Sequence, residues 1–319
     1  MSEKALSLAL AIPYHSIADR WGWESPWEVA TYESDVANLL RGAVFDFSSW
    51  SATDLQGRDA ADFLNRLSTL NFKNFDHTAT RLGAFLTGKS GVVALGFFQS
   101  EETGFRIWVS PPQKTALEEH LEKMHFAEDL QRKDRSGDYA LFAVYGTSPR
   151  QVLRAWPDPA IEALHWCVVA RDKAVDWLRS TLASGVSLCG ERAFEYLRLG
   201  AGLPRVGVEV SEQTLLLEAG LENAVDRGKG CYPGQEVIER IFTYGQVNRK
   251  LVRVKWSGSL NRAALPMAFM RDTVAAAVLV SAEQTPGEPE RGVGLAFVRK
   301  QFWNSGTEFE QAGLHLVVS

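Results

Sequence analysis

Thirteen consecutive residues, Lys229 to Ile241 (KGCYPGQEVIERI), gather a dense set of reactive groups. Cys231 contributes a thiol. Lys229 and the nearby Arg227 contribute cations, and Gln235, Glu236 and Arg240 add an amide, an acid and a base within two turns. Val237, Ile238 and Ile241 recur as the apolar face of a helix. Pro233 suits the first turn of that helix, and Gly228 and Gly230 let the backbone bend before it. Cys231 is therefore expected beside a helix N-terminus and next to a lysine. Both neighbours favour a thiolate, the nucleophilic form of cysteine. On physical grounds alone, a capped helix carrying an inert cysteine explains the same residues equally well.

Other motifs carry less. Gly83 to Ser90 (GAFLTGKS) matches the phosphate-loop pattern G-x-x-x-x-G-K-[ST]. A phosphate cradle needs a helix directly after it, whose free N–H groups face the anion. Here GVVALGFF follows, with β-branched residues and no helical period, so the stretch reads as the turn of a hairpin. The six histidines form no H-x-x-x-H pair, and no G-x-S-x-G elbow is present. Cys167, Cys189 and Cys231 are odd in number and widely spaced, with no C-x-x-C. That pattern argues against a thiolate metal cage and for a reducing compartment, read as cytoplasmic. Cys167 and Cys189 lack polar company and read as packed small residues.

The elements that must position this chemistry alternate between strands and helices. Strands are expected at Ala43–Phe47, Arg81–Leu86, Val92–Phe98, Phe105–Val109 and Leu141–Tyr145. Helices are expected after Gly57 (Phe63, Leu64, Leu67), after Pro111-Pro112 (Leu117, Leu121, Met124), and around Lys173–Leu182. An apolar residue, a glycine two later and a leucine seven beyond that occur twice, as Leu55-Gly57-Leu64 and Val144-Gly146-Leu153. This suggests an internal repeat in which Val152 and Leu153 open a second helical face. The last ~70 residues, with strand-like runs at Leu251–Trp256, Val274–Val280, Gly292–Val298 and Leu314–Val318, read as a small antiparallel barrel or sandwich. The 319 residues carry 34 Lys+Arg against 39 Asp+Glu, a formal charge of −5, so no global field draws nucleic acid. No apolar run reaches the ~20 residues that span a bilayer. Residues Ala5–Ala11 resemble a signal segment only faintly, since they are short and Glu3 precedes them.

KGCYPGQE resembles in full the signature K-G-C-Y-x-G-Q-E of the YgfZ family of folate-binding proteins. These are relatives of the glycine-cleavage T-protein, an aminomethyltransferase. FDFSSWSATDLQGRDAADFLNRLSTLNF from Phe45 resembles the family's first block, EYLRLGAGLPRVGVEV from Glu195 its middle block, and GLAFVRK from Gly294 its closing block. The likeness runs from about Ala37 to Lys300. It implies an α+β fold, a ring of three domains in which two related α/β domains and a C-terminal antiparallel β-barrel surround a folate site. The boundaries expected in chain order are 1–138, 139–248 and 249–319.

The resemblance implies tetrahydrofolate or a derivative as cofactor, and a role in supporting iron–sulfur protein maturation or repair, with iron–sulfur client or assembly proteins as partners. Cys231 and Lys229 would carry the chemistry, and Arg240, Glu236, Gln235, Tyr232 and Arg198 would contact the folate. Arg240 is the expected partner of the glutamyl tail. Two departures separate the chain from the aminomethyltransferases. The stretch Val92-Val93-Ala94-Leu95 lacks the aspartate that positions folate for transfer, and Gly200 stands where L-R-x-E-A-G carries a glutamate. A folate-dependent aminomethyl- or methyltransferase is the alternative, and a scaffold without folate binding is a third reading.

Overall fold

The structure, a computed structural model, describes residues 3–245 and 247–319. Four sheets organise them. The first is antiparallel, in the order Thr80–Leu86, Val92–Glu101, Gly104–Val109, Ser51–Gln56, Gln131–Asp134. Helices Ala60–Leu67 and Lys114–Met124 cover one face of it, inserting Phe63, Leu64, Leu67, Leu117 and Leu121 into an apolar core. The second sheet runs Arg154–Pro157, Leu164–Ala170, Tyr139–Tyr145, Ala43–Asp46, Ser187–Leu188. Its strand Ala43–Asp46 is buried on both faces. Ala43 and Phe45 point into a core shared with the first sheet, and Val44 points toward helix Ala174–Ala183.

The second sheet joins strands from before and after residue 138. Strand Ala43–Asp46 pairs antiparallel with Tyr139–Tyr145, Val44 opposite Val144, although nearly a hundred residues separate them. The third sheet, Met267–Arg271, Val274–Thr285, Glu288–Arg299, Arg249–Gly258, Leu314–Val318, Glu308–Gln311, is antiparallel throughout. Arg271 donates across its edges to the Glu308 carbonyl at 2.6 Å, so the sheet nearly closes into a barrel. Its core side chains, Val254, Trp256, Phe269, Leu279 and Leu316, are apolar and inward.

A fourth, small sheet of Glu3–Lys4, Trp23–Glu28 and Ser16–Arg20 was not anticipated. The faint signal-like stretch is a 3-10 turn, Leu6–Leu10, whose leucines pack on the second sheet's outer core. The repeat built on Leu153 is not realised. Leu64 is fully buried in a helix, but Leu153 is 62% exposed and precedes strand Arg154–Pro157. Leu64 sits in a helix that covers the first sheet, whereas Leu153 N–H donates to Val168 O at 2.8 Å and leads into the edge of the second sheet. No helix among the described residues is long and apolar enough to cross a membrane.

Gly83–Ser90 forms the end of strand Thr80–Leu86 and the turn into Val92–Glu101, as the absent helical period implied. The turn is a docking device. Gly91 bridges Leu215, and a Cβ there would lie 1.7 Å from the Glu212 carbonyl oxygen. Val92 N–H donates to Ser211 O at 3.3 Å. Gly91→Ala must push the two segments apart and should cost about 3 kcal/mol or more in urea unfolding. Gly88→Ala, in open space, should change stability by no more than about 1 kcal/mol.

Candidate functional site

The signature segment is a loop pinned to the first sheet, followed by helix Gln235–Tyr244. Asp226 anchors its start. Arg81 Nη1 and Nη2 reach the two Asp226 oxygens at 2.6 and 2.7 Å, a bidentate pair, and Asn71 N–H donates to the same carboxylate at 2.8 Å. Burial opposes the charge of Asp226, yet these donors win and hold its carboxyl below the usual range. Three residues on, Asn65 and Lys229 bond reciprocally. Asn65 Nδ2 donates to Lys229 O at 3.3 Å, and the Lys229 ammonium donates to Asn65 O.

Lys229 is 7% exposed and lies 4.6 Å from the Tyr232 ring centroid. Burial pushes its ammonium down to about 8, against the pull of Asp226 and Cys231. Burial and the charge of Glu239 push the Tyr232 phenol up to about 12, and its buried hydroxyl has no hydrogen-bond partner among the described residues.

Gly234 closes the loop. Its φ is +79°, and a Cβ would sit 2.7 Å from Thr87 O, so glycine is required by both backbone and neighbour. Ser90 Oγ donates to Gly234 O, tying the loop to the hairpin turn. The helix opens at Gln235, two residues after Pro233, because Gly234 takes the left-handed cap position. Cys231 thus precedes the first helical residue by four positions rather than lying in the first turn. Its thiol is exposed, whereas Cys167 and Cys189 are buried and burial pushes their thiols up. Gln235 is half-buried. Glu236 and Arg240 are exposed, and neither has an ion pair among the described residues.

A second feature lies where the first and second sheets meet. Trp50, Phe97, Trp166 and Phe194 wall a narrow cleft, with Leu82, Leu95 and Leu203 completing its apolar surface. Trp50 stacks on Phe97 at 6.2 Å and 19°. Arg198 forms part of this lining, but it is 1% exposed and its guanidinium is occupied by Glu195 at 2.5 Å and Glu209 at 3.0 Å. Arg205, also at the cleft, pairs with Glu195 at 2.7 Å. Burial alone would raise Glu195, but Arg198, Arg205 and Arg20 hold it well below the carboxylate range.

Among the described lining residues the acid is Asp158. Its oxygens accept from Ala160 N–H (2.8 Å), Ile161 N–H (2.9 Å) and the Trp166 indole (2.7 Å). One of its roughly four acceptor positions is left. Leu95, from the stretch that lacks the transfer aspartate, faces this space instead. The cavity volume is ≈ 60 Å³, below the ~300 Å³ of ordinary ligand sites, so a bicyclic ring enters only with outward movement of rim side chains such as Leu82, Leu203 and Val206.

The structure therefore distributes the anticipated residues over two places. Lys229, Cys231, Tyr232, Gln235, Glu236 and Arg240 share the signature segment, and Arg198 belongs to the cleft. Sequence reasoning missed Asp226, Arg81 and Asn65, which fix the loop, and the aromatic walls, which come from four separate segments. The acid three residues before Lys229 was the available signal for Asp226. Nothing local marks the walls. Among the described residues no cluster of three His, Cys, Asp or Glu is placed to hold a metal.

Residues 15–178 match the GCVT N-terminal domain, and the chain belongs to that family. It is 26% identical over 236 residues to a putative chloroplastic transferase of Arabidopsis thaliana, covering 65% of this chain and about half (55%) of that relative. It is 25% identical over 312 residues to an aminomethyltransferase of Rubrobacter xylanophilus, covering 88% of this chain and 83% of the relative. The fold is similar to that of the glycine cleavage system aminomethyltransferase T from Bartonella henselae, with a TM-score of 0.83 at 18% identity over 100% and 97% of the two chains. The fold is thus α+β, of the glycine-cleavage T-protein type, with an antiparallel barrel at its C-terminus.

The depressed Lys229 ammonium makes stability depend on pH. Below pH 8 both folded and unfolded chains carry the charge, and folding bears its burial cost in full. Between about 8 and the ordinary lysine value of 10.5 the unfolded chain holds the proton and the folded one does not, so stability rises with pH. Wild type should gain about 3 kcal/mol relative to Lys229→Met over that window, measured as the difference of urea midpoints. A flat difference would show that the ammonium is not desolvated.

Proposed function

We propose that the chain is a tetrahydrofolate-binding protein of the YgfZ type, acting in a reducing, cytoplasmic compartment to support iron–sulfur protein maturation or repair. The observation that carries this reading is the exposed thiol of Cys231, set in a complete KGCYPGQE loop that is fixed at both ends. The chemistry of the cleft suits the folate ring system. Flat aromatic walls match a flat bicycle, and the remaining acceptor position of Asp158 suits an N–H of an amidine edge. When bound, the folate supplies a one-carbon carrier. Asp158 and the walls would hold and orient its ring, and Trp50, Trp166 and Phe194 would exclude water from one face.

Arg198 acts by fixing Glu195 and Glu209 behind the walls rather than by meeting an anion, since its guanidinium is fully engaged. Lys229 and Tyr232 hold the loop from behind. Gln235, Glu236 and Arg240 stand on the helix that follows the thiol's loop, and the exposed Arg240 would take a carboxylate of a folate tail or of a client iron–sulfur protein.

An aminomethyltransferase or methyltransferase is the second reading, favoured by the aminomethyltransferase relative that aligns over most of the chain. Against it stands the cleft's lining, in which Leu95 replaces an acid and Asp158 is hydrogen-bonded on both oxygens. By calorimetric titration, wild type and Cys231→Ala should bind tetrahydrofolate alike, while Trp50→Ala should bind at least about tenfold more weakly, the loss of one stacked aromatic wall. In a strain lacking the protein, Cys231→Ala should fail to restore iron–sulfur enzyme activities. Full restoration would remove the thiol from the mechanism, and steady turnover of an aminomethyl donor with tetrahydrofolate would establish the transferase reading instead.

A further inference from the structure

On the far side of the second sheet, a groove of ≈ 440 Å³ lies between the loop after strand Tyr139–Tyr145 and the C-terminal end of helix Ala174–Ala183. Its size is that of an ordinary small-molecule site. Its composition is unusual for a chain with net charge −5, because its lining includes Arg41 and Arg150 and no aspartate or glutamate. Elsewhere arginines meet acids, as Arg81 meets Asp226 and Arg192 meets Glu283. Among the described residues the guanidinia of Arg41 and Arg150 have neither an ion pair nor a hydrogen bond. Thr147, Ser148, Thr181 and the amide of Gln151 add uncharged donors around them.

The groove is built rather than incidental. The Trp177 indole donates to Arg150 O at 2.8 Å and fixes the loop over the helix. The next residue, Gln151, is held at φ +54°, a strained value for a side chain of its kind, and such strain persists where the surroundings impose it. The helix end would repel an anion if its carbonyls were bare. They are covered. Ser184 and Gly185 N–H groups donate to the Ser180, Thr181 and Leu182 carbonyls, Ser180 Oγ donates to Trp177 O at 2.8 Å and Ser184 Oγ to Thr181 O at 2.7 Å.

We propose that this groove is a binding site for a phosphate-bearing small molecule, its phosphate clamped between Arg41 and Arg150. A guanidinium presents paired N–H donors that match phosphate oxygens, and two of them lining one groove without a competing acid favour an anionic occupant. Calorimetric titration of the full chain with inorganic pyrophosphate at low ionic strength tests it. Wild type should bind, more weakly as salt rises. Arg41→Ala/Arg150→Ala should lose at least about tenfold in affinity, while Arg179→Ala, which removes an arginine of the same helix paired to Asp176 at 3.0 Å, should stay within about twofold. Equal loss in Arg179→Ala, no binding by wild type, or equal affinity for citrate would each overturn the assignment. Circular dichroism confirms that both variants, which change exposed side chains, remain folded.

Discussion

The Asp226–Arg81 pair is the constraint on which the site's geometry depends. It joins a loop of the later chain to the first strand of the hairpin Thr80–Glu101, with near-ideal fork geometry and a third donor from Asn71. Both partners are part-buried, where a bidentate pair is screened less than on an open surface. Everything downstream is placed relative to it. Lys229 reaches Asn65 because Asp226 sets the loop's start, and Gly234 reaches Thr87 and Ser90 because the loop has already been turned back. The thiol of Cys231 is exposed at the outermost point of a strap tied down on either side.

Behind the cleft, a second set of charges does a different job. Arg20, Arg198 and Arg205 interleave with Glu191, Glu195 and Glu209, with Arg198 and Glu209 almost wholly removed from water. Buried pairs of this kind add little net stability over apolar packing, but removing one member leaves an uncompensated charge. Their effect is positional. They fix helix Glu191–Ala201, which carries Phe194 into the cleft wall, against the following Leu203–Val210 segment. That is also why an arginine in a motif resembling a folate-contacting block is not available to an anion.

Much of the local structure was legible. The hairpin Thr80–Glu101, helix Lys114–Met124 and the barrel strands all follow from period and turn residues, and the missing helical period after Ser90 points to the hairpin turn that the structure has there. Three kinds of information were not. The partner of strand Ala43–Asp46 lies about a hundred residues away, so its sheet could not be assigned from local pattern. In the small sheet at Glu3–Lys4 and Ser16–Glu28, the central strand Trp23–Glu28 has an irregular exposure pattern and a proline, Pro26, both of which weaken a strand signal. Pro233 points to a helix start at its own position, but the left-handed Gly234 places the first helical residue at Gln235, two residues on. The cleft was the least legible feature, since each of its aromatic walls reads in isolation as ordinary core.

The same hairpin connects the two parts of the site. Leu82, Leu95, Gly96 and Phe97 on its strands line the cleft, and the turn between those strands holds Gly234 through Ser90. Between wall and turn, Ala84, Leu86, Val92 and Leu95 pack with Tyr232 and Ile238 in one continuous apolar cluster. A close-packed cluster transmits displacement instead of absorbing it. The cleft is too narrow for a bicyclic ring unless its rim moves, and Leu82 on that rim belongs to the strand that leads into the turn. Leu82, Ala84 and Leu86 alternate onto one face of their strand, so the cleft wall and the apolar packing beneath the signature loop lie on the same side of the hairpin, while Phe85, Ala94 and Phe98 on the other side serve the core under the helices.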